Sequence, residues 1–106
     1  MVKRGEVWLV ALDPTIGREI RKTRPAVVMS PDELNASLDT VIVAPMTTGA
    51  SYAPYRVDVS LSNVRGLILI DQLRTIDRQR LVRRIARLPG KALGLALRVA
   101  QEMFAE

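Results

Sequence analysis

Apolar residues in this chain are gathered into runs of four to eight, each closed by a proline, glycine or polar turn signal. That pattern confines most of the fold to short strands. Glu6–Leu12 (EVWLVAL) is rich in strand formers and stops at Asp13-Pro14. Arg24-Pro25 opens a second strand, Ala26–Met29, and Thr40–Thr47 (TVIVAPMT) is a third, in which Pro45 argues for an edge or a bulge. Tyr55–Leu61 alternates, with Tyr55, Val57, Val59 and Leu61 on one face and Arg56, Asp58 and Ser60 on the other. Gly66–Asp71 (GLILID) reads as its buried counterpart, resumed after a bend by Leu73–Ile76. Leu81–Leu88 fits strand or helix by period, and a strand is the assignment preferred here.

Two segments depart from the strand pattern. Ser30-Pro31-Asp32-Glu33 predicts a helix start with Ser30 as N-cap, Pro31 in the first helical position and Glu33 closing a capping box, the helix running to about Ser37. After Pro89-Gly90, the residues Leu93, Ala96, Leu97, Ala100, Met103 and Phe104 share one helical face. The expected fold is mainly β, a small antiparallel barrel or curled sheet, with a short helix after the second strand and an amphipathic C-terminal helix. At 106 residues it fits one domain spanning 1–106 and one core.

Composition narrows the chemistry. The chain has no cysteine and no histidine, which excludes disulfides, thiolate or imidazole metal ligands and any imidazole acid or base. Catalysis, if present, falls to Arg, Lys, carboxylates, hydroxyls or Tyr, and neither a metal nor a cofactor is expected. A formal net charge of +5 favours polyanionic partners, nucleic acid ahead of anionic membrane. No apolar run approaches the roughly 18 residues of a membrane span, and MVKRGEVWLV lacks a signal-peptide pattern, so a cytoplasmic location is expected.

Three ordered blocks carry a resemblance. They are Asp13-Pro14-Thr15-Ile16-Gly17-Arg18-Glu19 followed by Arg24-Pro25 and its apolar strand, Val43–Thr48, and Gly66–Asp77. Together they resemble the MazF/PemK/Kid toxins of bacterial toxin–antitoxin pairs, over nearly the whole chain. The resemblance implies an SH3-like, PemK-like barrel with a C-terminal helix, a homodimer and a cognate MazE-like antitoxin. It also implies sequence-selective, metal-independent cleavage of single-stranded RNA. In that family the Arg before the proline and a Thr ending the third strand form the catalytic pair, which here are Arg24 and Thr47.

RNA supplies its own nucleophile, because its 2′-hydroxyl attacks the neighbouring phosphorus and expels the 5′-oxygen. The protein must then provide charge for the phosphorane, a donor to a non-bridging oxygen, a base and an acid. Arg24 suits the first task, and Pro25 restricts it to an extended backbone. Thr47 suits the second, and Thr48 points to the opposite face if the strand persists that far, as a backbone or RNA contact.

Deprotonating a guanidinium, whose pKa is about 12.5, costs on the order of 7 kcal/mol at neutral pH. Glu19 is therefore the candidate general base, unless it only pairs with Arg18, Arg21 or Lys22. Those three cations are candidates for gripping RNA, in a loop where Ile20-Arg21-Lys22-Thr23 replaces the Gln and Gly common in the family. Tyr52 is placed to stack on a base. Asp71, Gln72 and Arg74 are further RNA-binding candidates, although Asp71, Arg74 and Asp77 also suit structural ion pairs. Trp8 reads as core, and the Arg78, Arg80, Arg83, Arg84, Arg87 group as a nucleic-acid footprint if those side chains share a surface. The competing function is a non-catalytic binder of the same fold, a DNA gyrase poison or nucleic-acid module.

Overall fold

The computed structural model describes residues 1–12 and 22–106, the side chain of Lys22 excepted. In chain order its elements are β1 (Glu6–Leu12), β2 (Lys22–Val28), α1 (Asp32–Ser37), β3 (Thr40–Thr47), β4 (Arg56–Leu61), β5 (Val64–Leu69), β6 (Arg74–Asp77), β7 (Leu81–Arg87) and α2 (Gly90–Met103). Single 3₁₀ turns, Ile70–Gln72 and Arg78–Arg80, flank β6. Among the described residues the strands run β4-β5-β3-β2-β1-β7, with β6 joining β3 beside β5, and every pairing is antiparallel. The architecture is the expected mainly β one with its two helices. Its sheet curls without closing: β4 and β7 end the path, yet residues of both line one cleft.

β1, β2 and β3 lack strict alternation because both of their faces are covered. Val7, Val27, Ala44 and Met46 point into a cluster with Val57, Val59, Ile68 and Ala96 of α2. Val10, Ala26, Val28, Val41 and Val43 point the other way, into a second cluster with Val2 and Ile76. Each buried Val or Ile contributes about 1.5–3 kcal/mol of transfer free energy, so continuous apolar runs are what such strands need.

Pro45 lies in the central strand, which corrects the expected edge or bulge. On one side of β3, residues 40–43 pair with β6 and Met46–Thr47 pair with β5. Pro45 stands at the change of partner, where a missing N–H interrupts no ladder on that side.

Three local readings are also corrected. Ser30 does not cap α1. Its buried hydroxyl donates to Asn35 Oδ1 (2.5 Å) and accepts from the Ile42 N–H (3.0 Å), while Pro31 takes the cap position without a side-chain bond. Tyr55 is not on the inward face of β4 but precedes it, at φ +66°. Phe104 lies beyond α2 and is 75% exposed, whereas Leu93, Leu97, Ala100 and Met103 pack on the core.

Glu6 fastens β1 to the edge strand. Its carboxylate is buried and accepts from the Lys3 N–H (3.0 Å), the Trp8 indole N–H (3.1 Å) and Arg84 (3.1 Å), with Arg87 at 3.8 Å. Burial opposes its ionisation most strongly, but the Lys3, Trp8 and Arg84 donors together hold its pKa below the ordinary value. A folded-state pKa below the unfolded one contributes stability that is full above the unfolded value, about 4.3, and is lost as pH falls through the folded value. Glu6→Gln is therefore expected to cost about 1–2 kcal/mol near neutrality. The gap from wild type should close below about pH 4 in thermal melts taken across the acid range. A gap that stays constant with pH would assign the loss to packing instead of charge.

Candidate active site

β2 and β3 pair only at Ala26↔Pro45, Val27↔Ala44 and Val28↔Val43. The ladder stops beside Pro25, which has no N–H to extend it. Beyond that last pair, Arg24 of β2 and Thr47 of β3 lie on the unpaired ends of the two strands. Both strands are held from their other sides, Arg24 opposite Val10 of β1 and Thr47 opposite Leu67 of β5. The splayed ends leave two clefts whose shared wall is Arg24, Met46 and Thr47.

The first cleft, about 570 Å³, has an apolar floor that includes Val7, Val59, Leu61 and Ala86, with Thr48 and Arg65 among its polar lining. The second, about 520 Å³, is lined by Leu12, Pro45, Gly49, Ala50 and Leu69 together with Gln72 and Arg74. Four residues predicted from the sequence, Arg24, Thr47, Gln72 and Arg74, thus converge on the second cleft from three chain segments. Thr48, one residue beyond the end of β3, lines only the first.

Thr47 is oriented for donation. Its Oγ1 accepts the Gly49 N–H at 3.2 Å, which leaves the hydroxyl proton to point elsewhere. Its backbone position depends on Gly66 of β5: a Cβ built there would lie 2.9 Å from the Thr47 carbonyl oxygen. Sequence reading missed Gly66 because the contact comes from strand register, which has no local signature.

Other predicted residues stand apart. Tyr52 is 75% exposed and lines neither cleft. Asp71 was expected to bind RNA, but both its carboxylate oxygens are engaged by Arg56, at 3.1 and 3.2 Å. The hydrogen bond from Arg56 lowers the Asp71 pKa, and the same bond raises that of Arg56. A carboxylate so stabilised is a poor proton acceptor. Asp77 accepts from the Gln79 N–H at 2.8 Å and serves the local turn. Glu19, Arg18 and Arg21 lie outside the described residues, as does the side chain of Lys22.

The C-terminal arginine group is largely structural. Arg78 donates to the carbonyls of Asn35 and Leu38, Arg80 reaches the Ala11 carbonyl at 3.4 Å, and Arg84 and Arg87 face Glu6. Trp8 packs against the second core cluster, as expected. Among the described residues no group of three or more acidic, His or Cys side chains is arranged to hold a metal ion, and no helix is long and apolar enough to cross a membrane.

A permanent cation and a hydroxyl thus stand on two strand ends beside an open cleft of a small curled β-sheet, a combination of donors suited to phosphate oxygens. Residues 3–104 match the family described as the PemK-like, MazF-like toxins of type II toxin–antitoxin systems, and the chain belongs to that family. It is 37% identical over 94 residues to the endoribonuclease PemK of Escherichia coli, covering 83% of this chain and 71% of that protein. To the endoribonuclease EndoA of Bacillus subtilis it is 36% identical over 99 residues, covering 88% and 85%. Its backbone is similar to that of MazF in a MazE–MazF crystal structure from Deinococcus radiodurans, with a TM-score of 0.83 and 26% identity over 96% of this chain and 94% of that one.

Proposed function

We propose that this chain is an endoribonuclease, the toxin of a toxin–antitoxin pair, which cleaves single-stranded RNA by attack of the substrate's own 2′-hydroxyl and needs no metal. The observation that carries the reading is that Arg24 and Thr47, on the unpaired ends of β2 and β3, both line a cleft also lined by Gln72 and Arg74. The Arg24 guanidinium takes the charge that builds on the phosphorane oxygens, and its planar fork matches two of them. The Thr47 hydroxyl, its oxygen occupied by the Gly49 N–H, donates to a third.

Glu19 is the base that takes the 2′-hydroxyl proton, since Asp71 is committed to Arg56. The 2′-oxygen–phosphorus bond forms as the bond to the 5′-oxygen breaks, and that oxygen leaves with a proton relayed by Arg24. The products are a 2′,3′-cyclic phosphate and a 5′-hydroxyl. Gln72 and Arg74 contact the nucleotides beside the cut, while Arg18, Arg21 and Lys22 supply the salt-sensitive grip on the backbone. A MazE-like antitoxin is the protein partner, and the working form is a homodimer in the cytoplasm; relatives of known structure include a MazE–MazF complex.

The test is to incubate the pure protein with a long single-stranded RNA in excess chelator and to analyse both new ends. Cleavage leaving a 2′,3′-cyclic phosphate and a 5′-hydroxyl is expected. Intact RNA, or cleavage that requires added divalent ions, overturns the reading.

A further inference from the structure

Arg56 was read from the sequence as one of the outward residues of an alternating strand, yet its side chain is only 18% exposed and makes three directed bonds. Nε and Nη2 donate to the two carboxylate oxygens of Asp71, and Nη1 donates to the Ser51 carbonyl at 2.9 Å. Asp71 lies in the 3₁₀ turn Ile70–Gln72, directly before Gln72. Ser51 directly follows Gly49 and Ala50. Gln72, Gly49 and Ala50 all line the second cleft, whereas Arg56, Ser51 and Asp71 do not. One guanidinium behind the cleft therefore ties together two of the segments that form it.

We propose that Arg56 is a positioning residue which, through Asp71 and Ser51, sets the separation between the 49–51 segment and Gln72, and so decides which RNA bases the second cleft accepts. The proposal rests on the RNA-cleaving reading of the site. The fork to Asp71 fixes two distances and a plane at once, a constraint that an ammonium group cannot reproduce. Residues 49–53 belong to no helix or strand, so the carbonyl bond at Ser51 is a main tie between this segment and the 3₁₀ turn. Loosening it leaves the backbones of Arg24 and Thr47 where they are, because β1 and β5 hold those residues, and Gly49 stays tied to the Thr47 hydroxyl by its own N–H. The effect should therefore fall on binding and base preference, with little change in the chemical step.

The experiment compares wild type with Arg56→Ala, Arg56→Lys and Asp71→Asn in two measurements. Amide hydrogen exchange over residues 49–53 needs no RNA, and Arg56→Ala is expected to speed it about tenfold. Steady-state cleavage of single-stranded oligonucleotides varying each base beside the wild-type cut should give a KM raised about fivefold to tenfold for the preferred sequence, a kcat within about twofold, and a wider set of cut sites. Arg56→Lys should fall between Arg56→Ala and wild type, since it keeps the charge without the fork. Unchanged exchange in Arg56→Ala overturns the tether. Faster exchange with unchanged KM and cut sites overturns its role in selection, as does a loss confined to kcat. A wild type that cleaves no oligonucleotide, with exchange still faster in the variant, overturns the RNA-cleaving reading and supports the tether.

Discussion

Arg24→Ala is expected to lower kcat for RNA cleavage about a thousandfold, the scale on which a preorganised charge at a transferring phosphoryl group operates. Arg24 is exposed, and the β1 and β3 partners of its strand are held through backbone and neighbouring residues. Its removal should thus leave the thermal midpoint within the scatter typical of surface substitutions, about 0.5 kcal/mol. Arg24→Lys should recover little, because an ammonium cannot meet two phosphoryl oxygens in one plane. Single-turnover cleavage with saturating RNA, alongside a melt, measures both. A variant that keeps more than about a tenth of the wild-type rate would remove Arg24 from the centre of the chemistry.

Gly66→Ala is the second large effect, and it acts on the other half of the pair. The added methyl would sit 2.9 Å from the Thr47 carbonyl oxygen and 3.5 Å from its carbonyl carbon, so the backbone of β3 or β5 must move. Overpacking of this kind costs about 1–3 kcal/mol in stability. A displacement of Thr47 approaching 1 Å would lower cleavage by about a hundredfold. Both losses should appear together, in thermal melts and in kcat at saturating RNA. Gly90→Ala serves as the control, since nothing lies within 4 Å of a Cβ there. A Gly66→Ala protein with unchanged kcat would show that Thr47 does not act through its placement.

Much of the fold was legible because its causes are local. Turn signals bounded β1, β3 and β7 within a residue, and the polar-to-apolar alternation of Val57 and Val59 marked β4. The errors share a different cause. Ser30 was read as a cap because its partner Ile42 lies twelve residues away, and a distant backbone N–H outcompeted the helix end. Pro45 was read as an edge signal because the change from β6 to β5 on one side of β3 leaves no trace in a linear pattern.

At the site, Arg24 and Thr47 were proposed through the family blocks, with Pro25 the only physical cue in the neighbourhood, and the fold places both on the wall of one cleft. Gln72 and Arg74 followed from the same block. Asp71 was offered both as an RNA contact and as one side of a structural ion pair, and its carboxylate pairs with Arg56, which the alternation had placed on the outward face of β4. Which of two opposite charges finds the other depends on the distance between a strand and a turn fifteen residues apart, and that distance is a property of the folded sheet.

The two-sided burial of β2 and β3 has a consequence for anyone wishing to redirect this protein to other RNA sequences. Ala26, Val27 and Val28 of β2 and Val41, Val43, Ala44 and Met46 of β3 are committed to one core cluster or the other, so the platform beneath Arg24 and Thr47 offers few positions at which to write a new preference. The segments that border the second cleft from outside that platform, residues 50–55 and, apart from the buried Ile70, the 3₁₀ turn before β6, carry little of the core. A library confined to them would vary what the cleft reads while leaving the cutting edge as it is.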